Sequence, residues 1–296
     1  MLGCHLLIPL IPLLVGGFST LLDAAPPDYY IAGVDQTPNA IHVFPRNKPW
    51  TPSNIHWSFT AGKRSRGWRN LSDVKLWKTA SHDWIALVCA SSSAFPTRSN
   101  PHAIERIPHL GAVVVASSTP GKLTLYYPGN AKDINDFKNL KKSDVTYDAP
   151  GAHGILWDPN DAQDSPERGI LWVSLDKYMR KYKITGRGET MRLLQEGSAI
   201  PFPGKGGLGH DLQPDYTNKN VLLATDSYGA YAYDIPTGKW VTLREEMAIK
   251  SFVRHKSGSI CGLQRREGRL GKPMGKFWSA AGRKQVKGKE VLGWLL

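Results

Sequence analysis

A short polar motif returns five times along the 296-residue chain, each time just ahead of a strand-like run. The copies read Ser72-Asp73-Val74-Lys75, Pro101-His102-Ala103-Ile104, Ala152-His153-Gly154-Ile155, Gly209-His210-Asp211-Leu212 and Ile249-Lys250-Ser251-Phe252. Each sets one ionisable side chain beside a small or polar residue and opens a segment that ends in a turn, as successive blades of a β-propeller do. Taken on the ionisable residue, the copies are 29, 51, 57 and 40 residues apart, which brackets the roughly 40–50 residues of one blade. In that register Asp73, His102, His153, His210 and Lys250 form a ring around one central channel, and the function is expected there.

The rest of the chain agrees with an all-β reading. Its 29 glycines and 21 prolines are spread along its length, as many short strands joined by tight turns require. No apolar 3.6-residue period persists for more than a few turns, so long helices are not expected. The cleanest unit runs through Ile104–Ile107, Ala112–Ser117 and Leu123–Tyr127, with Thr119-Pro120-Gly121 as the last turn. Six such strand groups predict one all-β domain over 27–296, a single β-propeller of about six blades. Five or seven blades, or a β-sandwich, are the alternatives.

The first 25 residues read as a secretory signal peptide. Leu6–Val15 is apolar apart from two prolines, and Ala24-Ala25 precede Pro26-Pro27 at the expected cleavage region. The run is shorter than the roughly 20 apolar residues of a membrane-spanning helix. A secreted, extracellular protein with no membrane span after processing follows. Removal of the leader takes Cys4 with it and leaves Cys89 and Cys261, a pair that permits one disulfide but reads better as two buried thiols in separate repeats. Asn70-Leu71-Ser72 is an N-glycosylation sequon, which makes Asn70 the expected acceptor.

The net charge of +13 is concentrated. From Lys250 to Lys289 twelve Lys or Arg stand against one acid, Glu267, so the stretch 250–289 is a basic C-terminal segment. Lys63-Arg64-Ser65-Arg66, with Trp68 close by, is a smaller cluster. For a secreted chain such fields favour acidic polysaccharide or another polyanion over nucleic acid. A monomer is expected.

Common catalytic signatures are missing. The chain has no HExxH, paired CxxC or GxSxG motif. The GxGxxG match at Gly204–Gly209 is preceded by Pro201 and Pro203 and followed by Pro214, which leaves room for neither the strand nor the phosphate-binding helix of a dinucleotide site.

Asp35-Gln36, Asn100-Pro101-His102, the run Gly151-Ala152-His153-Gly154-Ile155-Leu156-Trp157-Asp158, Gly209-His210-Asp211-Leu212-Gln213-Pro214 and Ile249-Lys250-Ser251 are more distinctive together than singly. On them the chain resembles a family of secreted microbial proteins of unknown function with a propeller-like fold. The resemblance spans Tyr29 to about Ser251 and implies a propeller and an extracellular setting, with no established reaction. Beyond about Gly262 the expected ending gives way to the Lys/Arg-rich stretch, which closes on Trp294-Leu295-Leu296.

Two functional classes follow from the ring. In the first, His102, His153 and His210 hold zinc, iron or another divalent metal for a lyase or hydrolase, and Lys250 and Asp73 handle charge or protons as catalytic groups. In the second, the protein is a non-catalytic module that binds carbohydrate or polyanion. Asp211, Gln213 and Trp68 are then candidate binding residues, with Trp50 and Trp57 as further exposed aromatics.

Overall fold

The computed structural model describes residues 4–6, 29–36, 38–61, 71–79, 83–90, 100–159, 169–204, 207–267, 273–279 and 291–295. The strands in chain order are β1 (Cys4–Leu6), β2 (Tyr30–Asp35), β3 (Ala40–Pro45), β4 (Trp57–Thr60), β5 (Leu71–Thr79), β6 (Asp83–Ala90), β7 (Asn100–Ile107), β8 (Ala112–Thr119), β9 (Lys122–Pro128), β10 (Leu140–Asp148) and β11 (Ile155–Asp158). They continue as β12 (Ile170–Ser174), β13 (Tyr178–Thr185), β14 (Arg192–Pro201), β15 (Gly209–Pro214), β16 (Val221–Asp226), β17 (Gly229–Asp234), β18 (Lys239–Glu245), β19 (Ile249–Arg254), β20 (Ile260–Glu267), β21 (Pro273–Ser279) and β22 (Val291–Leu295). The described residues contain no α-helix.

These strands pair into antiparallel sheets in the orders β1-β6-β5, β10-β9-β8-β7, β11-β12-β13-β14, β15-β16-β17-β18, β19-β20-β21 and β22-β2-β3-β4. The strands β5, β7, β11, β15, β19 and β22 each form one edge of their sheet. Each touches the next, and β22 returns to β5, so the six edges close a ring. This is a β-propeller, and the recurring motif opens or immediately precedes five of the strands that surround its channel. Closure joins the two ends of the sequence: β22 pairs with β2 from Ile31 opposite Leu295 to Asp35 opposite Val291.

A sheet inside such a ring is buried on both faces, so its strands read as unbroken apolar runs instead of alternating ones. Strand β12 shows this directly. Leu171 and Val173 pack into the cluster shared with Leu125 and Ala116, while Ile170 and Trp172 pack into the next one with Leu212 and Tyr231. Two sheets packed face to face would bury one face of each, so this arrangement sets the β-sandwich aside.

Outer strands obey the opposite rule. Strand β10 alternates exposed and partly covered residues and carries Lys141, Lys142, Asp144 and Asp148. It has no apolar run, and sequence pattern alone leaves this fourth strand unread. At the N-terminus, β1 pairs along β6 from Cys4 opposite Cys89 to Leu6 opposite Leu87, as the outer strand of its sheet. The expected cleavage region around Ser19–Ala25 lies outside the described residues, as do Trp68 and the sequon residue Asn70. Cys89 and Cys261 are buried free thiols.

Inner strands approach one another closely where β11 begins. A methyl group on Gly154 would stand 2.7 Å from the Leu212 nitrogen and 2.9 Å from the Asp211 carbonyl carbon, both main-chain atoms of β15. Gly154→Ala is expected to lower stability by about 1–3 kcal/mol, the usual cost of overpacking. A urea midpoint equal to that of the unsubstituted chain would show that the ring of inner strands is looser than this spacing requires.

Candidate functional site at the channel end

The inner strands are irregular where the motif sits. Pairing between β5 and β6 shifts at Ser72, that between β7 and β8 at His102, that between β15 and β16 at His210-Asp211, and that between β19 and β20 at Lys250. A bulge adds one unpaired residue to a strand and re-aims its side chain. In β11 the same place is the lead-in, where the His153 N–H donates to the Ser174 carbonyl before the ladder begins.

His102, His153 and His210 come together as expected. The rings of His102 and His153 lie 4.2 Å apart between centroids, tilted by 30°, and His153 meets His210 edge to face at 5.5 Å. Lys250 joins them through its ammonium, which donates to His210 Nε2 at 3.0 Å. Asn100 Nδ2 donates to His102 Nε2 at 2.9 Å, and His153 Nδ1 donates to the Gly151 carbonyl at 2.7 Å. These partners assign the proton to Nδ1 in all three rings.

Burial keeps two of the rings neutral. It pushes His102 down to about 3, with His153 and then Lys250 acting in the same direction. His153 is lowered mainly by burial and also by Lys250, against the Gly151 bond and Asp176. One ammonium therefore stands among uncharged imidazoles at neutral pH.

Asp73 occupies a different layer. The bulge aligns Ser72 with His102, and the Ser72 hydroxyl donates to the Pro101 carbonyl at 2.8 Å. Asp73 falls one residue further along and accepts the Ile104 N–H at 2.9 Å. Asp211 does the same between the β15 and β19 sheets, accepting the Phe252 N–H. The ring at the channel end is thus Ser72, His102, His153, His210 and Lys250, and Asp73 belongs with Asp211 beneath it. The apolar column Val74, Ile104, Ile155, Leu212 and Phe252 carries the signal for this register.

The second layer is buried and charged. Asp73 is 3% exposed and Asp211 8%. Burial is the largest influence on both, raising Asp73 to about 7 and Asp211 to about 6 against the pull of Lys75 on each and of the Gln213 amide on Asp211. Gln213 Nε2 donates to both Asp211 oxygens at 3.0 Å. Further along, Lys75 Nζ bonds Glu105 Oε2 at 2.6 Å and the Ile155 carbonyl, and Glu105 also accepts from the Arg106 and Trp157 main chains.

Each imidazole has one nitrogen in a hydrogen bond, and His153 lies tilted against His102 and edge to face with His210. Among the described residues no group of three or more His, Cys, Asp or Glu is arranged to hold a metal ion. Trp50 stacks on Phe44 at 5.1 Å and Trp57 packs on the core of its sheet, so both aromatics serve packing here.

No family model matches the sequence, and no curated protein does. Among solved structures, a protein of unknown function from Bacteroides caccae is 11% identical over 90% of this chain and 94% of its own, with a TM-score of 0.49. Streptogramin B lyase is 12% identical over 93% and 95%, with a TM-score of 0.47. Neither likeness assigns chemistry to this chain, whose propeller architecture is given by its own closed ring of sheets.

Two outcomes check the electrostatics. A carboxyl with a higher pKa folded than unfolded binds more protons when folded. The cost of ionising Asp73 is therefore absent below about pH 4, grows through about pH 7 and stays constant above it. Asp73→Asn keeps the Ile104 bond and is expected to stabilise the protein at pH 8 by a few kcal/mol, at roughly 1.4 kcal/mol per pK unit, with the gain vanishing near pH 4. A pH-independent difference in denaturant midpoint would contradict this. Lys250→Met removes a charge that depresses both His102 and His153, so both imidazoles should titrate at higher pH, as followed by their Cε1–H resonances in NMR.

Proposed function

We propose that the propeller is a small-ligand binding protein whose histidine–lysine channel end receives an acidic group, such as the carboxylate of a sugar acid. The observation that carries this reading is the bond of the Lys250 ammonium to His210 inside a cluster of imidazoles, two of which burial keeps neutral. An ammonium in a partly desolvated site attracts an anion more strongly than it does in water. Neutral imidazoles beside it add no competing negative charge. Ser72 completes the ring with a hydroxyl.

The burial of His102 argues against proton abstraction by that ring. A base held near pKa 3, as His102 is, has little affinity for a proton at neutral pH. The metal-assisted lyase or hydrolase is the second reading; among the described residues no group of three or more His, Cys, Asp or Glu is arranged to hold a metal ion. An extracellular setting belongs to the proposal through the apolar leader and the sequon. Polyanion binding by the basic stretch 250–289 is a separate proposal, resting on its charge alone.

Calorimetric titration with D-glucuronate, D-galacturonate and D-glucose tests the reading. Binding of at least one acid in preference to glucose is expected, with about a tenfold loss in Lys250→Met, or roughly 1.4 kcal/mol. Equal behaviour of acids and glucose, or unchanged affinity in the variant, would remove the reading.

A further inference from the structure

The channel has a second end. The inner strands run away from the histidines, and at their far ends stand Trp77, Asp158 and Pro214. A cavity of about 340 Å³ opens there, walled by Trp77, Leu156, Pro214, Tyr216 and Leu222, with Lys219 also in its lining. Its volume falls within the roughly 300–1,000 Å³ of small-molecule sites, which are lined mainly by apolar and aromatic side chains with a few placed polar groups.

The charges are distributed unevenly across this cavity. On its inner side Lys75 and Glu105 are 6% and 1% exposed and neutralise each other at 2.6 Å. Asp158 is also buried, while Lys219 is exposed on the turn between β15 and β16. Tyr216, 48% exposed on the same turn, is among the few large apolar side chains the fold leaves in solvent. An entering molecule therefore meets aromatic and aliphatic walls first, a neutralised ion pair and the buried Asp158 further in, and a cation at the mouth.

We infer that this end of the propeller is a second ligand site, separate from the histidine–lysine end, for a ring-shaped, largely apolar organic molecule bearing one acidic group. The ring lies against Trp77, Tyr216 and Leu222, and the acidic group stays at the mouth beside Lys219. Burial of the ring provides the affinity, and Lys219 sets the orientation and a preference for anions. Between the two ends lie the Asp73–Asp211 layer and the Lys75–Glu105 pair, so the sites do not share a side chain.

The probe is 1-anilinonaphthalene-8-sulfonate, an aromatic ring system with a single sulfonate, titrated into the folded protein by fluorescence. One saturable site is expected. Tyr216→Ala should weaken it about tenfold and Lys219→Gln several-fold, in proportion to lost apolar contact and lost charge. Both residues are exposed, so neither change should alter the thermal unfolding midpoint, which is measured alongside. Lys250→Met should leave this affinity unchanged. Loss of the signal in Lys250→Met with retention in both turn variants would put the probe at the histidine end and overturn the inference, as would the absence of saturable binding. Because the acid-sugar titration reads the opposite end through Lys250, either proposal can fail without the other.

Discussion

Satisfying the inner edge of every sheet is the constraint on which the rest of this structure depends. A strand at a sheet edge presents a row of unpaired N–H and C=O groups, and here these edges face a buried channel where water cannot serve them all. Side chains of neighbouring blades supply the partners. Asp73 takes the Ile104 N–H, Asp211 the Phe252 N–H and Glu105 the Trp157 N–H, while Ser72 and Lys75 donate to the Pro101 and Ile155 carbonyls. These links join blades that share no backbone ladder. They also concentrate ionisable groups along the axis, and so the element that holds the ring together generates its unusual electrostatics.

That dual role separates the layers by function. Asp73 and Asp211 are committed to main-chain donors, and burial raises their proton affinity toward neutral pH without freeing them. At the histidine end the bulges release side chains from the ladder. The outcome is a cluster in which the Lys250 ammonium bonds His210 beside His102 and His153, two rings whose proton affinity burial lowers. At the other end the Lys75–Glu105 pair cancels charge behind a mostly apolar cavity. One channel thus offers two environments of different chemistry.

The gathering of His102, His153, His210 and Lys250 at one end of the channel was legible in the sequence. His102, His153, His210 and Lys250 were readable because each precedes a small or polar residue and then an apolar one. The first copy slipped because Asp73 is the ionisable residue a reader seizes on, whereas the structural position belongs to Ser72. In a strand a shift of one residue moves a side chain to the other face, which is why this slip changed the layer of Asp73 and its role. Strand β10 escaped notice for another reason. An outermost strand faces solvent along much of its length, so its lysines and aspartates leave no apolar pattern to find.

By itself the sequence determined the class of architecture, because apolar runs short enough for strands, separated by Gly- and Pro-rich turns and repeated at blade length, can bury their two faces only against copies of themselves. It also determined which side chains would gather at the channel, since the motif recurs at the head of the inner strands. Tertiary structure decided what they do there. The distance of Lys250 from His210, the contact of the His102 and His153 rings and the burial that keeps His102 neutral all arise between blades, from residues 40 or more positions apart. So does the closure of the ring by Val291–Leu295 on Tyr30–Asp35, strands from opposite ends of the chain. Local pattern specifies a strand and its faces, but electrostatic environment is a property of what is packed around a group, and only the folded ring brings those neighbours into place.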